Sequence, residues 1–283
     1  MSRVQYGMLS YDLHSHSTAS DGTLSPTKLV NRAADADVDV LALTDHDTMA
    51  GIQEAKIAAK KSGIKIISGC EISVTWANGT LHILGLNLSE NTPSLQAGLA
   101  GIREHRKERA IKIGKKLEQA GIEGAYEGAC ALAYGGLVSR SHFAQYLVQQ
   151  GYAKDFRAVF KKFMVNKKPG FVAGTWAPLE EVISWIKDAG GQAVIAHPAR
   201  YGLTRSKLMR LIGEFKELGG DALEVVSGSH SKDECFTIAK YANDHGMLSS
   251  AGSDFHGPEN TWIEIGRIPP LPPGCTPIWE SWT

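Results

Sequence analysis

The chain has 283 residues, 43% of them hydrophobic and 21% charged, a balance that excludes intrinsically disordered and fibrous classes. Lys+Arg and Asp+Glu number 30 each, so a formal charge of +0 provides no global basic field for a long nucleic acid, while a local basic patch stays open. The length suits two average domains or one α/β barrel with an insertion.

The N-terminus, MSRVQYGMLSYDLHSHS, holds no apolar run long enough for a signal peptide, and nowhere do about 18 uncharged apolar residues fall together. A soluble, cytoplasmic protein without membrane contact is expected. Cys70, Cys130, Cys235 and Cys275 are scattered without CxxC spacing, which fits reduced thiols better than disulfides or a zinc ribbon.

In chain order, a strand is predicted over 11–14. Ser25 then caps a helix with Pro26 in its first turn and Leu29, Val30, Ala33 and Ala34 on its apolar face. Residues 38–43 are apolar apart from Asp39, as expected of a strand covered on both faces. A helix over 49–61 closes at Gly63, and a strand follows over 64–67. Asn78-Gly79 separates two β-type runs, 71–76 and 81–86, and predicts a hairpin with Glu71 and His82 on adjacent strands.

From about 87 to 177 the β signals vanish, and helices are predicted over 102–119, 142–150 and 156–163. The alternation resumes with a helix over 179–189, a strand over 192–196, a helix over 207–218 and a strand over 222–226. A helix over 232–245 and a strand over 247–250 complete it. Six or seven parallel strands separated by helices imply a barrel or a doubly wound sheet. The domain reading is a barrel built from 1–88 and 177–283, with an inserted helical domain over 89–176. The proline-rich tail IPPLPPGCTPIWE cannot be a central strand and is expected to strap the outside.

Polar residues gather at the predicted C-terminal ends of strands: His14 and His16, Asp45 and His46, Glu71, His197, and Asp254 with His256, while His82 lies in the hairpin. In a parallel barrel those ends open onto one face, where active sites are assembled. His14 and His16 stand two apart in an extended segment, so both rings point to one side and can grip one cation; Asp254 and His256 repeat the spacing. Imidazole and carboxylate without thiolate suit Mn²⁺, Fe²⁺ or Zn²⁺. His105, His142, His230 and His245 read as ordinary helix or surface residues, and Cys70 as a small core thiol.

These residues stand in the segments Asp12-Leu13-His14-Ser15-His16-Ser17, Ser20-Asp21-Gly22, Thr44-Asp45-His46-Asp47-Thr48, Gly69-Cys70-Glu71, Ala196-His197-Pro198 and Gly252-Ser253-Asp254-Phe255-His256. In order, with His82, they resemble the metal motifs of the polymerase and histidinol phosphatase (PHP) family, from Tyr11 to about Pro258. Within the family the chain is similar to the bacterial group with nucleoside 3′,5′-bisphosphate phosphatase and 5′-to-3′ exoribonuclease activity. Segments 138–143, 168–172, 197–201 and 227–231 carry that closer match.

The resemblance implies a distorted (β/α)7 barrel with an inserted helical cap and three divalent cations, Mn²⁺ first among them. His14, His16, Glu71 and Asp254 would hold the first metal, Glu71, His82 and His197 the second, and Asp21, His46 and His256 the third. Asp45 would orient a ligand or its loop. His197, Asp254 and His256 are the residues expected at the reaction itself, and Arg140, Arg200 and Lys168 the substrate contacts. The implied substrate is a nucleotide or a short 5′-phosphorylated RNA end, with no obligate protein partner. Two other readings remain at this stage, a histidinol-phosphate phosphatase and a non-catalytic scaffold.

Overall fold

A computed structural model describes residues 9–259 and 261–282. The first eight residues, part of the segment read as lacking a signal peptide, lie outside it. The chain forms an α/β structure with two sheets. One is parallel, in the order β1 (Tyr11–Asp12), β2 (Val40–Leu43), β3 (Lys65–Ser68), linked by α1 (Pro26–Asp35) and α2 (Ile52–Ser62). The other runs β6 (Ala177–Pro178), β4 (Cys70–Trp76), β5 (Gly79–Leu86), β7 (Gln192–Ile195), β8 (Ala222–Ser227), β9 (Leu248–Gly252). Helices α7 (Leu179–Asp188), α8 (Arg205–Glu217) and α9 (Lys232–Asp244) pack on this second sheet. Among the described residues no helix is long and apolar enough to cross a membrane.

The expected series of parallel strands is corrected by β5, which runs antiparallel to both β4 and β7. The reason is the hairpin turn, whose two loop residues are Ala77 and Asn78, one position before the expected Asn78-Gly79, since Gly79 in β5 already pairs with Trp76. Asn78 takes φ 65°, and a two-residue turn of that kind reverses the chain at once, with no room for a crossover helix.

The two sheets meet along two seams. At one, Leu13 N donates to Ala251 O (3.0 Å) and Ser15 bridges to Phe255; at the other, Glu71 N donates to Thr44 O (3.1 Å) and His46 bridges to Glu71. An apolar interior drawn from both sheets fills the space between them, with Leu13, Val40, Ala42, Ile67, Leu84, Val194 and Ala222 buried together. Residues of the proline-rich tail, expected to strap the outside, instead plug one end of this interior. Ile278 is fully buried, Trp279 stacks on Tyr11 with ring centres 4.3 Å apart, and Trp282 donates its indole N–H to Gln192. Bulky apolar residues so close to the chain end bury more surface in that opening than across a polar face.

Between β5 and β6 the chain is helical. Helix α3 (Pro93–Gln119) begins nine residues before the predicted start, with Pro93 in its first turn. Gly98 and Gly101 mask the first turns in the sequence, yet a side chain at Gly98 would overlap the Trp185 ring that packs there. Helix α4 (Ala125–Leu132) is absent from the sequence expectations, because Gly124 and Gly128 depress its propensity; Gly128 is the point where the Tyr146 ring of α5 (Arg140–Gln149) presses close. The helix predicted over 156–163 is a short α6 (Phe156–Val159) that widens into a π-helical turn, Phe160–Met164.

These helices have their own core, including Ile113, Leu117, Ala129, Phe143, Leu147 and Phe163. Helix α3 belongs to two cores, since Leu95, Leu99 and Ile102 pack with the second sheet and α7.

Gly252, at the end of β9, touches the chain that carries His14; an added Cβ would overlap His14 Cβ. Gly252→Ala is expected to destabilise the fold by about 1–3 kcal/mol, as overpacking does, read as a lower Tm in thermal melts. An unchanged Tm would contradict this packing.

Candidate metal centre

The loops at the C-terminal ends of the strands converge. After β1 the chain stays extended through the bridge between Ser15 and Phe255, and Asp254 N donates to His14 O (2.9 Å). The His14 and His16 rings therefore project to one side, with their Nε2 atoms 3.1 Å apart. Asp45 orders the neighbouring loop, accepting from Ser17 N and Oγ (both 2.7 Å) and from Ser20 Oγ (2.6 Å). It does not enter the cluster.

Glu71, at the start of β4, is the hub. Its Oε2 lies 3.5 Å from His14 Nε2, 3.3 Å from His16 Nε2 and 2.9 Å from His46 Nδ1, while Oε1 lies 2.9 Å from both His82 Nδ1 and His197 Nε2. Asp254 Oδ1 is 3.4 Å from the Nε2 atoms of both His14 and His16. Asp21 Oδ1 faces His256 Nε2 at 3.5 Å and His46 Nε2 at 3.8 Å.

Donor atoms fall into three groups able to hold an ion: His14, His16, Glu71 and Asp254; His46, Glu71 and His82; and His16, Asp21, His46 and His256. His197 adjoins the second through Glu71. The donor set fits divalent cations on one further observation. Glu71 Oε2, Asp21 Oδ1 and the Nδ1 atoms of His46 and His82 are buried without a hydrogen bond, although His46 Nδ1 and Glu71 Oε2 are only 2.9 Å apart. Atoms this close, yet not aligned as donor and acceptor, point toward a shared centre.

The backbone is bent to deliver two of these groups. His197 and Asp254 take φ 29° and 57°, a region where non-glycine residues cost on the order of 1–3 kcal/mol. Glu224 helps to hold the first, its Oε2 accepting from His197 N (2.6 Å), while its Oε1 accepts from His14 Nδ1 (2.8 Å). That second bond fixes the ring with His14 Nε2 aimed at Glu71 and Asp254.

Burial raises the cost of every charge here, and the partners decide each outcome. For His14 burial opposes protonation, but Glu224, Asp254 and Glu71 lift its pKa well above the ordinary value. For His16 the bonds to Asp254 and Glu71 likewise overcome burial and lift it to about 10. Asp21, Glu71 and Asp254 stay ionised, since nearby imidazoles outweigh burial and pull all three well below the carboxylate range. Burial carries His82 the other way, downward. It also pushes the Cys70 thiol well up; Cys70 donates to Asp45 O (3.4 Å) as a core residue. The four histidines outside the cluster have backbone partners: His142 Nδ1 accepts from Ser139 N at the start of α5, His105 Nε2 accepts from Thr175 N, His230 Nδ1 donates to Val225 O and His245 Nδ1 donates to Tyr241 O.

A cavity of about 330 Å³ opens above the cluster, lined by Arg106, Arg109, Arg140, Arg200, Phe160 and Trp176 among others. Arg200 Nη1 donates to Asp254 Oδ2 (2.6 Å). Arg140 stands at the N-terminus of α5, beside Ser139 and Ser141, whose hydroxyls donate to Asp21 Oδ2 (3.2 and 3.0 Å). Lys168 is exposed and outside the cavity lining.

Sequence reasoning missed Glu224, which sits inside the apolar run of β8, and Arg106 and Arg109, which look like part of a solvated charge run. A carboxylate amid AL-VVS was the available signal for the first. The recurrence of Arg103, Arg106 and Arg109 every third residue, on one helix face, was the signal for the others.

An α/β fold with a buried histidine–carboxylate cluster at its strand ends is the framework of a metal-binding hydrolase. A family profile for the PHP domain matches residues 12–191, and the chain belongs to the PHP family. It is 47% identical, over 97% of its length and 96% of the relative's, to the 3′,5′-nucleoside bisphosphate phosphatase of Chromobacterium violaceum. It is 45% identical to the 5′-3′ exoribonuclease Rnm of Escherichia coli, covering 100% of this chain and 96% of that one. A solved structure from Chromobacterium violaceum, described as an amidohydrolase with bound sulfate and no metal, superposes with a TM-score of 0.93 at 47% identity, over 96% and 95% of the two chains. A metal-dependent phosphoesterase of Bifidobacterium adolescentis superposes at 0.79 with 26% identity, over 96% and 94%.

Two predictions follow from the geometry. Glu224→Gln should weaken Mn²⁺ binding about 10- to 100-fold, the usual effect of losing a partner that orients a ligand; isothermal titration reads it. Because His14 and His16 hold protons in the metal-free protein, a cation must displace them, so Mn²⁺ affinity should rise with pH toward about 10 and fall on acidification. Titrations in buffers of different ionisation enthalpy should show net proton release, and a pH-independent affinity would contradict the assignment.

Proposed function

We propose that the protein is a metal-dependent phosphohydrolase that removes the 3′-phosphate of nucleoside 3′,5′-bisphosphates, and that the same site releases nucleotides from 5′-phosphorylated RNA ends. The observation that carries this reading is the convergence of His14, His16, Asp21, His46, Glu71, His82, His197, Asp254 and His256 beneath a cavity lined with arginines. The names of the phosphatase and exoribonuclease relatives, similar over nearly the whole chain, support the substrate class.

In this reading His14, His16, Glu71 and Asp254 hold one ion, Glu71, His82 and His197 a second, and Asp21, His46 and His256 a third. Divalent cations, Mn²⁺ ahead of Fe²⁺ or Zn²⁺, supply positive charge to the phosphate and an activated water at neutral pH. The chain supplies the rest. Glu71, faced by imidazoles at both of its oxygens, fixes the spacing around it. Arg200, tied to Asp254, is held at the reacting end, where its fork can meet a phosphate oxygen. Arg140 approaches from the helical side with no carboxylate partner of its own among the described residues. His256 donates Nδ1–H to Asp254 O (2.9 Å), which fixes its ring with Nε2 toward Asp21. His197 and His256 both line the cavity, so either imidazole can carry a proton toward the departing 3′-oxygen. No side-chain nucleophile is required.

The fold is read as one distorted (β/α)7 barrel made of 1–88 and 177–283, closed along the two seams, with 89–176 inserted as a cap. The trinuclear centre, the cap and a cytoplasmic location belong to this proposal.

Phosphate release from adenosine 3′,5′-bisphosphate with Mn²⁺, compared with histidinol phosphate and short 5′-phosphorylated RNA, tests it. Activity confined to histidinol phosphate would overturn the nucleotide reading, and protein that holds no metal and hydrolyses nothing would make it a scaffold. Asp254→Ala should lower kcat by about 10³-fold or more with the fold retained, whereas Arg140→Ala should mainly raise KM, by about 10-fold. Wild-type kcat in Asp254→Ala would refute the assignment.

A further inference from the structure

The neutral net charge hides a division of the chain. The helical segment 89–176 carries 14 Lys and Arg against seven Asp and Glu, whereas the remainder carries 16 against 23. The excess is densest over 154–168, where Lys154, Arg157, Lys161, Lys162, Lys167 and Lys168 face a single carboxylate, Asp155. That carboxylate is engaged, since its Oδ1 caps α6 by accepting from Ala158 N (2.7 Å) and its Oδ2 lies 3.8 Å from Lys154 Nζ. All six cations are exposed, and among the described residues Arg157, Lys161, Lys167 and Lys168 have no ion pair.

Backbone bonds gather these charges into one turn. Val165 N donates to Phe160 O (3.1 Å), Lys168 N to Val165 O (3.0 Å) and Gly170 N to Phe163 O (2.8 Å). Lys167 takes φ 66°, a region that favours glycine or asparagine over lysine, and such a cost points to a use for the side chain. Apolar groups stand among the charges, with Phe156 45%, Val165 44% and Tyr152 37% exposed. Cations interleaved with exposed rings match a single-stranded nucleic acid, whose phosphates seek charge and whose unpaired bases seek a stacking face.

Both ends of the turn reach the cavity. Phe160, next to Lys161, lines it beneath the Arg140 guanidinium. Beyond Lys168 the chain passes Phe171, whose carbonyl accepts from Lys116 Nζ (2.9 Å), to Val172, whose carbonyl accepts from Arg109 Nε (3.0 Å) in the cavity wall. A polyanion emerging from the cavity on this side meets positive charge at once.

We propose that the exposed turn over 157–168 is the surface along which single-stranded RNA lies as it leaves the cavity, its phosphates against Arg157, Lys161, Lys162, Lys167 and Lys168 and its bases offered Tyr152 and Phe156. This rests on the exoribonuclease part of the function proposed above. A nucleoside bisphosphate, held within the cavity, does not touch the turn. The surface therefore adds affinity in proportion to the length of RNA beyond its first nucleotide, without contact to the histidine cluster. Lys168, which lies outside the cavity lining, meets the substrate here.

The test combines Arg157→Gln, Lys161→Gln and Lys167→Gln in the full chain; none of the three lines the cavity. Binding of 5′-phosphorylated decauridylate, labelled at its 3′ end, is followed by fluorescence anisotropy in EDTA over a range of salt concentrations. In the triple variant the plot of log affinity against log salt should become shallower by about 0.7 for each lost phosphate contact, so by about 2 in all. Lys161→Arg with Lys167→Arg should keep the wild-type slope. Phe156→Ala should weaken binding about 5-fold or more with the slope unchanged, as loss of a stacking face does. With Mn²⁺, the triple variant should lose about 10-fold or more in kcat/KM on the decauridylate, while kcat/KM on adenosine 3′,5′-bisphosphate and the Tm stay at wild-type values.

A wild-type affinity and slope in the triple variant, or an equal loss on the bisphosphate, would overturn the surface. Binding to phosphatidylserine vesicles that the triple substitution abolishes, with RNA binding unchanged, would assign the turn to a membrane and overturn it as well. RNA held through the turn yet left uncleaved with Mn²⁺ would leave the surface standing and refute the exoribonuclease reading.

Discussion

The architecture depends on keeping one carboxylate, Glu71, ionised where water cannot reach it. A lone buried carboxylate would take up a proton, because the interior penalises its charge heavily. Glu71 escapes this because imidazoles delivered by the loops after β1, β2 and β7, and by the β4–β5 hairpin, surround both of its oxygens. The arrangement requires strand ends from both sheets to meet at one point, and the two seams of backbone bonds bring them there. Local cost is accepted in return. His197 and Asp254 adopt backbone angles that few non-glycine residues tolerate, and Glu224 and the His14 carbonyl hold them against relaxation.

Around this hub the helical segment carries complementary charge. The cluster below is rich in carboxylates and imidazoles, whereas the wall above presents arginines from α3 and α5. Ser139 and Ser141 join the two through Asp21, whose Oδ2 they engage while Oδ1 faces His46 and His256. The position of α5 and the set of Asp21 are therefore coupled by direct hydrogen bonds.

Much of this was readable in the residues. The pairs His14/His16 and Asp254/His256 fall two apart after apolar runs, a spacing that only an extended chain turns into a shared face. Ser25 with Pro26, and Asn78 with Gly79, mark boundaries by backbone chemistry that tertiary packing does not override. What stayed hidden did so for physical reasons. Glu224 lies within a strand buried on both faces and looks like an intrusion until its partners arrive from 210 and 27 residues away. Helix α4 is rich in glycine and alanine because Tyr146 must come close, so the feature that allows its packing conceals it from propensity. Arg106 and Arg109 sit in a dense charge run, and only the fold turns one face of it inward. The antiparallel course of β5 is a consequence of its turn, but the run of β/α units on either side suggested the opposite.

Helix α3 is continuous from Pro93 to Gln119, with Leu95 and Leu99 anchored beside the second sheet and Ile113 and Leu117 in the core shared with α4, α5 and α6. A single rod embedded at both ends thus joins the two cores without a break. Its inward face sets the Arg106 and Arg109 side chains in one wall of the cavity.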